Sequence, residues 1–539
     1  MRRDANFVFL AALAAAGLAS AQDAGPWIRA DQIGYRTSDP KIAVLASESP
    51  LKGTFTVGEF SADIGPDAGP WGSIPHHYRL DFSGLTKPGR YAVAFGETKS
   101  LPFAIGDDAF RDVPDQLLSF MRLQRCGENP VTGRKCHQED GVDTVTGKKV
   151  DLVGGWHDAG DSLRHMITTS YCAAAFFLTG DLDEARWGAA MVRKLHPDPE
   201  TIYVQVGDDR DHGGGWRLWH DDKIDYGWGP GTGRAAWRAT GKPEGPKYKN
   251  ASTGLASLAG RCAAAMALAG DVPTARSLYR LGQANPGCAQ SVPVKAPHYY
   301  GERTFHDDME WGAVELYRAT KEPAFLADAV RWAHLAHDES WMGKAFHGHY
   351  EYFPYVNLAH WRLYELVDDE EKARIAGYYR NNLEEVRLRA EQNPWRVGTP
   401  FVWCSTNDVI AFATQAVLYE KMTGDARYRT LAAEARDWIF GRNPWGVSFV
   451  TGVGSFAAAD VHHPFTVLGG DHPPTGGLVD GPVSGAINDE FKKYFEIKDD
   501  PLAKFQSTEA KYHRHISDFS TNEPTIDGTV SLLVLLRVW

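Results

Sequence analysis

Two segments far apart in the chain hold the residues best suited to acid–base chemistry. Gly154-Gly155-Trp156-His157-Asp158-Ala159-Gly160-Asp161 sets two carboxylates three residues apart around Ala-Gly, a small turn that lets Asp158 and Asp161 aim at one point. Asp518-Phe519-Ser520-Thr521-Asn522-Glu523-Pro524 offers a lone Glu523 among polar and aromatic residues. A carboxylate pair facing a single carboxylic acid is what inverting glycoside hydrolysis needs. One side deprotonates a water and the other protonates the leaving oxygen. The same residues also have a plainer use, with Asp161 as an N-cap before an apolar run and Glu523 as a surface carboxylate.

A second constellation is Cys126, Cys136, His137 and His157. Two Cys and two His make a closed tetrahedral zinc set. Adjacent Cys-His is not a zinc-finger spacing, so a disulfide beside two loop histidines fits the spacing equally. Cys172 and Cys262 sit in Ala-rich stretches and read as buried free thiols.

Elements must position these groups. Residues 26–106 hold short apolar or alternating runs punctuated by Gly, Pro, Ser and Asp, the pattern of a small β-sandwich. After Asp107 apolar residues recur at helical spacing. Twelve helices are predicted, near 110–126, 162–180, 183–195, 253–269, 272–283, 307–320, 323–337, 355–367, 369–391, 404–423, 425–440 and 528–538. Thr179-Gly180-Asp181, Ala269-Gly270-Asp271 and Thr423-Gly424-Asp425 read as a C-cap followed by the next N-cap. Twelve helices in short-linked pairs fit a double ring, six inside and six outside. Long Gly-, Pro- and aromatic-rich connections at 127–160, 196–252, 284–306, 392–403 and 441–527 carry the polar clusters, and loops of that length are usually functional.

Composition narrows the partners. A formal net charge of -12 over 539 residues disfavours nucleic acid, whose phosphates demand a basic footprint. Arg2 and Arg3, the apolar run Phe7 to Leu18 and Ala19-Ser20-Ala21 read as an export signal over 1–21. That run is too short to span a bilayer, and no later one reaches membrane length. A secreted or periplasmic protein is expected, without a membrane partner and monomeric. The 17 Trp could supply stacking faces for sugar rings or simply fill the core.

These motifs resemble glycoside hydrolase family 9 over residues 26–539. The Gly-Gly-Trp-His-Asp-Ala-Gly-Asp run is the most specific match. Tyr203-Val204-Gln205-Val206-Gly207-Asp208 with Asp211-His212, Trp403 to Asn407, Gly441 to Pro444, Ser448 to His463 and Ser517 to Asp527 extend it. Ile28 to Tyr35 and Pro88-Gly89-Arg90-Tyr91 look like the immunoglobulin-like module that precedes the barrel in one branch. The resemblance implies a mainly α protein, with an (α/α)6 barrel over 108–539 behind an immunoglobulin-like β-sandwich over 22–107. It implies Asp161 as general base, Asp158 as its partner on the water, and Glu523 as general acid. Acid and base are then expected roughly 6.5–9.5 Å apart. It also implies a structural zinc at Cys126, Cys136, His137 and His157. Calcium is a further possibility, since Asp208 to Asp211 and Asp480 to Asp489 are oxygen-rich.

The sequence departs from the family around the acid. His462-His463-Pro464 replaces a His-x-Arg, and Phe456 stands where a polar or basic residue is usual. Expected substrate contacts are His212, Trp216, Trp219, Asp307, Trp311, Tyr352, Trp403, His462 and His463, with Trp228 and Tyr355 as further platforms. The expected activity is endo-β-1,4-glucanase on cellulose or a related β-glucan. The alternatives are an exo-acting β-glucosidase or exo-β-glucosaminidase, motivated by the missing arginine, and a non-catalytic carbohydrate-binding protein.

Overall fold

The computed structural model describes residues 25–212, 215–227, 233–294, 298–469 and 472–539, excluding the His212 side chain. The predicted export signal and Trp228 lie outside the described residues.

The N-terminal strands form three small sheets around one apolar core. Ile42–Ser47 pairs antiparallel with Trp27–Arg29 on one side and His76–Asp81 on the other. Thr54–Val57 lies between Phe60–Asp63 and Val93–Phe95, with Thr98–Lys99 at the edge. Phe103–Ile105 joins Gly34–Tyr35 to Gly89–Tyr91. In Thr54–Val57 exposed Thr alternates with buried Phe55 and Val57, which point into a core shared with Tyr35, Phe82 and Phe103.

Of the helices that follow among the described residues, twelve build the rings and are numbered here α1–α12, with Asp209–His212, Pro464–Val467 and Gly485–Phe491 as short helices in the connecting loops. The twelve are α1 Val113–Gln124, α2 Met166–Thr179, α3 Leu182–Leu195, α4 Ala256–Leu268, α5 Val272–Ala284 and α6 His306–Thr320. The rest are α7 Pro323–His337, α8 Ala359–Tyr364, α9 Asp369–Ala390, α10 Ser405–Thr423, α11 Arg429–Ile439 and α12 Ile526–Val538. Helices α2, α4, α6, α8, α10 and α12 each touch the next, and α12 returns to α2, so the inner ring closes. Outside it, α3, α5, α7, α9 and α11 pack on the inner helices they follow, and α1 packs on α12. Composition sorts the rings. Inner helices α2, α4 and α12 are apolar nearly all round, whereas outer α3 and α5 carry a polar face. Gly180, Gly270 and Gly424 adopt the left-handed conformation that turns each inner helix into its outer partner. Of the three predicted N-caps only Asp271 accepts from its helix, at Thr274 N–H, 3.3 Å.

Two predicted loops are partly ordered as a sheet. Val142–Asp143, Ala235–Arg238, Tyr203–Val206 and Arg164–His165 pair in that order. Arg164–His165 belongs to this sheet, so α2 starts at Met166 rather than 162. Asp161 is therefore not its N-cap. Its Oδ1 instead accepts the Leu163 N–H at 2.8 Å and closes a turn.

The β-domain is keyed into the helical part. The Gln32 side chain donates to Gly446 C=O at 2.8 Å and accepts from Phe456 N–H at 2.7 Å. Buried Arg436 pairs with Asp39 at 2.7 Å, and Arg442 Nε donates to Ile42 C=O at 2.9 Å.

Candidate active site

The Asp158–Asp161 turn and Glu523 meet at one cavity of about 740 Å³, on the face where the loops 156–163, 456–464 and 517–525 converge. Gly160 is the point of contact. Its N–H donates to Glu523 Oε1 at 2.9 Å, and a Cβ there would lie 2.0 Å from the His462 carbonyl oxygen. Glycine is thus required for the two sides of the site to approach. Asp158 does not itself line the cavity; it is buried behind the wall and accepts hydroxyl hydrogen bonds from Tyr300, which does line it, and from Thr168. Asp161 is less enclosed and lines the cavity beside Trp219, whose indole N–H donates to the Asp161 carbonyl at 3.1 Å.

The electrostatics favour retained protons. Burial, then the neighbouring Asp158, push the Asp161 carboxyl up to about 8. Burial, then Asp480 and Asp161, hold Glu523 well above the usual carboxylate range. A carboxyl group held neutral can donate a proton, while its ionised neighbour can take one from water.

Of the expected substrate contacts, Trp216, Trp403 and His462 line the cavity. Trp216 is 39% exposed with its ring edge-on to His462, 4.6 Å away, a position open to a sugar face. The His212 side chain lies outside the described residues. The others need correction. Trp219 reaches the cavity wall, but its ring is buried, stacks on His157 at 4.1 Å and packs against Phe465, so it braces the catalytic turn. Asp307, Trp311, Tyr352, Tyr355 and His463 do not line the cavity. Trp311 and Tyr355 are core residues. Buried His463 bonds Gln124 Oε1 at 3.0 Å and caps a short turn at Phe465. Tyr352 packs on His347. Asp307 sits at the start of α6, where burial pushes it up to about 7.

Cys126, Cys136, His137 and His157 come together, with one ligand atom from each lying within 4.8 Å of the rest. The Cys126 and Cys136 sulfurs are 4.0 Å apart. Cys126 Sγ is 3.6 Å from His137 Nδ1, and Cys136 Sγ is 3.6 Å from His157 Nε2. The remaining ring nitrogens face fixed partners, His137 Nε2 on Asp222 at 3.1 Å and His157 Nδ1 on the Ser162 carbonyl at 3.1 Å. Those bonds orient the rings, as around a metal. The group can hold a metal ion with all four positions filled by protein. Both oxygen-rich segments expected for calcium have protein partners: Asp208 pairs with Arg210, Asp211 with Arg217, Arg234 and Tyr226, Asp480 with Trp403 and Cys404, and Asp489 with Lys492.

Comparison with known proteins decides the family. The model of glycosyl hydrolase family 9 matches residues 110–536, and that of the cellulase N-terminal Ig-like domain matches residues 23–100. The chain belongs to glycosyl hydrolase family 9. Among curated relatives of this family 9 chain, Endoglucanase 3 of Oryza sativa subsp. japonica is 24% identical over 409 residues, covering 66% of the chain and 77% of the relative. Endoglucanase C of Cellulomonas fimi is 25% identical over 604 aligned positions, covering 95% of the chain but 51% of that longer relative. Two solved structures share the fold. A single mutant of a thermostable endoglucanase from Alicyclobacillus acidocaldarius has a TM-score of 0.73 at 19% identity, covering 95% of this chain and 99% of that one. A Zn-binding triple mutant of a family 9 endoglucanase has a TM-score of 0.72 at 22% identity, covering 93% and 99%.

Several cavity residues of this family 9 chain escaped sequence reasoning. Tyr300 bonds Asp158, and Asp480 lies next to Glu523. His165, His298 and His349 also line the walls. Their signal was weak. Tyr300, His298 and Asp480 sit on long loops, where periodicity does not report which way a side chain faces, and His165 lies in the strand where a helix is predicted. Tyr350 (φ 56°) and Cys404 (φ 59°) have left-handed backbones and line the cavity, a strain typical of functional walls.

Proposed function

We propose that the protein is an exported, inverting endo-β-1,4-glucanase acting on cellulose or related β-glucans. The observation that carries this is the Gly160 contact. It brings the Asp158–Asp161 turn and Glu523 together at one cavity. In this reading Asp161 takes the proton of the attacking water, Asp158 helps hold that water, and Glu523 protonates the leaving glycosidic oxygen. Attack on one ring face with departure from the other inverts the anomeric centre. Endo action is supported by the names of the relatives and by a continuous aromatic wall that runs from Trp216 through His462 and Phe519 to Trp403 and Phe491. Among the described residues no helix is long and apolar enough to cross a membrane.

Cellohexaose and chitosan hexamer, digested side by side and followed by chromatography and anomeric proton NMR, test the reading. A spread of cello-oligosaccharides, each first released as the α-anomer, is expected. Glucose alone from the first time point would replace endo with exo action. Glucosamine from chitosan with cellohexaose untouched would overturn the substrate.

The metal reading is zinc, because two sulfurs and two imidazole nitrogens at these spacings match its tetrahedral preference. Zinc would join the 126–137 loop to His157, one residue before Asp158, and so brace the catalytic turn. Elemental analysis is expected to find one zinc per chain, and chelation to lower Tm by several degrees. Protein free of metal with Cys126 and Cys136 oxidised to a disulfide would refute it.

A further inference from the structure

Asp480 is a carboxylate that neither the acid–base pair nor the metal cluster uses, yet it lines the catalytic cavity and is 2% exposed. The strand Leu478–Val479 pairs antiparallel with Pro524–Thr525, and the Asp480 N–H donates to the Glu523 carbonyl at 3.0 Å. Two carboxyl groups are thereby fixed side by side from adjacent strand ends. The Asp480 oxygens have defined partners. Oδ2 accepts the Trp403 indole N–H at 2.9 Å, and Oδ1 faces the Cys404 sulfur at 3.0 Å. Burial, then the charge of Asp527, push the Asp480 carboxyl well above its usual range. An indole N–H can only donate and a thiol is a poor acceptor, so the two contacts work against that push and favour the anion. Burial and Asp480 itself raise the Cys404 thiol, which keeps its hydrogen available to donate. The left-handed backbone of Cys404 carries this thiol at the start of α10.

No unpaired Arg or Lys offsets that charge from the described cavity wall. Its one arginine there, Arg217, is paired with Asp211 and Asp222. The groups around Glu523 are Asp158 and Asp161 from the turn, Asp480 from the strand, Cys404 before α10, His349 before α8 and His462 from the neighbouring loop, while Asp527 on α12 and Asp518 act on Asp480.

We propose that Asp480 is a positioning residue for the proton of the reaction: its anion, held by Trp403 and Cys404, keeps that proton on Glu523 rather than on Asp161. The inference rests on reading Glu523 as the acid and Asp161 as the base. Both carboxyl groups are withdrawn from water, and burial alone would leave the proton divided between them. A fixed negative charge beside one of them breaks the tie. The productive form, Glu523 protonated and Asp161 ionised, then dominates over its mirror image. After burial, the charge of Asp480 raises Glu523 more than that of Asp161 does. Trp403 consequently serves as a hydrogen-bond anchor as well as an aromatic wall.

The test is D480N, which preserves shape and the acceptor for Trp403 while removing the charge. The alkaline limb of the kcat/KM profile on cellohexaose is expected to move down by roughly 1–2 pH units, the scale of a close carboxylate pair. W403F, which removes the anchor, should move it the same way by less, and this variant carries the test if D480N fails to fold. A merely structural role would scale the profile uniformly and leave its limbs in place, which would overturn the proposal. Titration of the Glu523 carboxyl by 13C NMR, assigned by difference against E523Q, needs no substrate. If the wild type cleaves no β-glucan at any pH, the proposed function fails. The NMR shift between wild type and D480N still decides the role of Asp480, and an unmoved Glu523 titration overturns it.

Discussion

Glu523→Gln lowers kcat on cellohexaose by about 10²–10⁴-fold, the range that a positioned proton donor contributes, with little change in KM. Asp161→Asn falls in the same range through loss of the base. Both variants are expected to gain stability as they lose activity. The sign follows from proton binding. The folded-state pKa of Asp161 stands at about 8 against an ordinary value of 3.8. Between those values the folded protein binds more protons than the unfolded chain, so stability falls as pH rises through the window. Glu523 is displaced in the same direction. An amide in either place removes the penalty. Calorimetric Tm should therefore match the wild type near pH 4 and exceed it by a few degrees at pH 8, in both variants. Equal Tm at both pH values would mean that these carboxyl groups are ordinary. Undiminished hydrolysis by Glu523→Gln would remove the acid assignment altogether.

Gly160→Ala is expected to cost at least about 10²-fold in kcat/KM, because a misplacement of about 1 Å between reacting groups has that effect. The added methyl would lie 2.0 Å from the His462 carbonyl oxygen and 3.0 Å from Glu523 Oε1. The carbonyl belongs to backbone bonded at Asn522, so it cannot swing aside as a side chain would. The loop must retreat as a whole and take the acid with it. An overpacked site of this kind also loses about 1–3 kcal/mol of stability. Urea unfolding and initial rates on a soluble β-glucan check the two effects separately. Wild-type kinetics in this variant would show that the close approach is not needed.

The helical architecture was legible because helix-period apolar faces and Gly-Asp turns are local signals. All twelve expected helices correspond to observed ones, within a few residues at their ends. The start of α2 was misplaced because Arg164–His165 are recruited into a sheet by Val206 and Gln205, about forty residues away in the chain. Such pairing leaves no local trace. The carboxylate segments and the Cys/His group were legible because residue type and spacing already restrict their chemistry. The aromatic contacts were less so. Trp219 and Trp216 share one loop three residues apart, and one is buried against His157 while the other is open to the cavity. Composition assigns them the same role, and only packing separates them. Asp480 was legible only as part of an oxygen-rich segment, because its place beside the acid comes from a strand pairing with the Glu523 segment.

The seam between the β-domain and the barrel bears on how such proteins can be rearranged. Gln32 fills the space beside Gly441, Gly446 and Gly454, where a Cβ would meet its side chain or that of Arg29. Arg436 and Arg442, both fully buried, find Asp39 and the Ile42 carbonyl on the other side. The same stretch of barrel runs on through Phe456 to His462 at the cavity. A barrel expressed alone would expose buried guanidinium groups and lose the support of a loop that ends in the catalytic wall. A foreign β-domain would need Arg29, Gln32 and Asp39 in register to take its place. Recombination can therefore exchange these two units only as a matched pair, and the apparent border near residue 107 is a boundary in the chain that the packed interior does not observe.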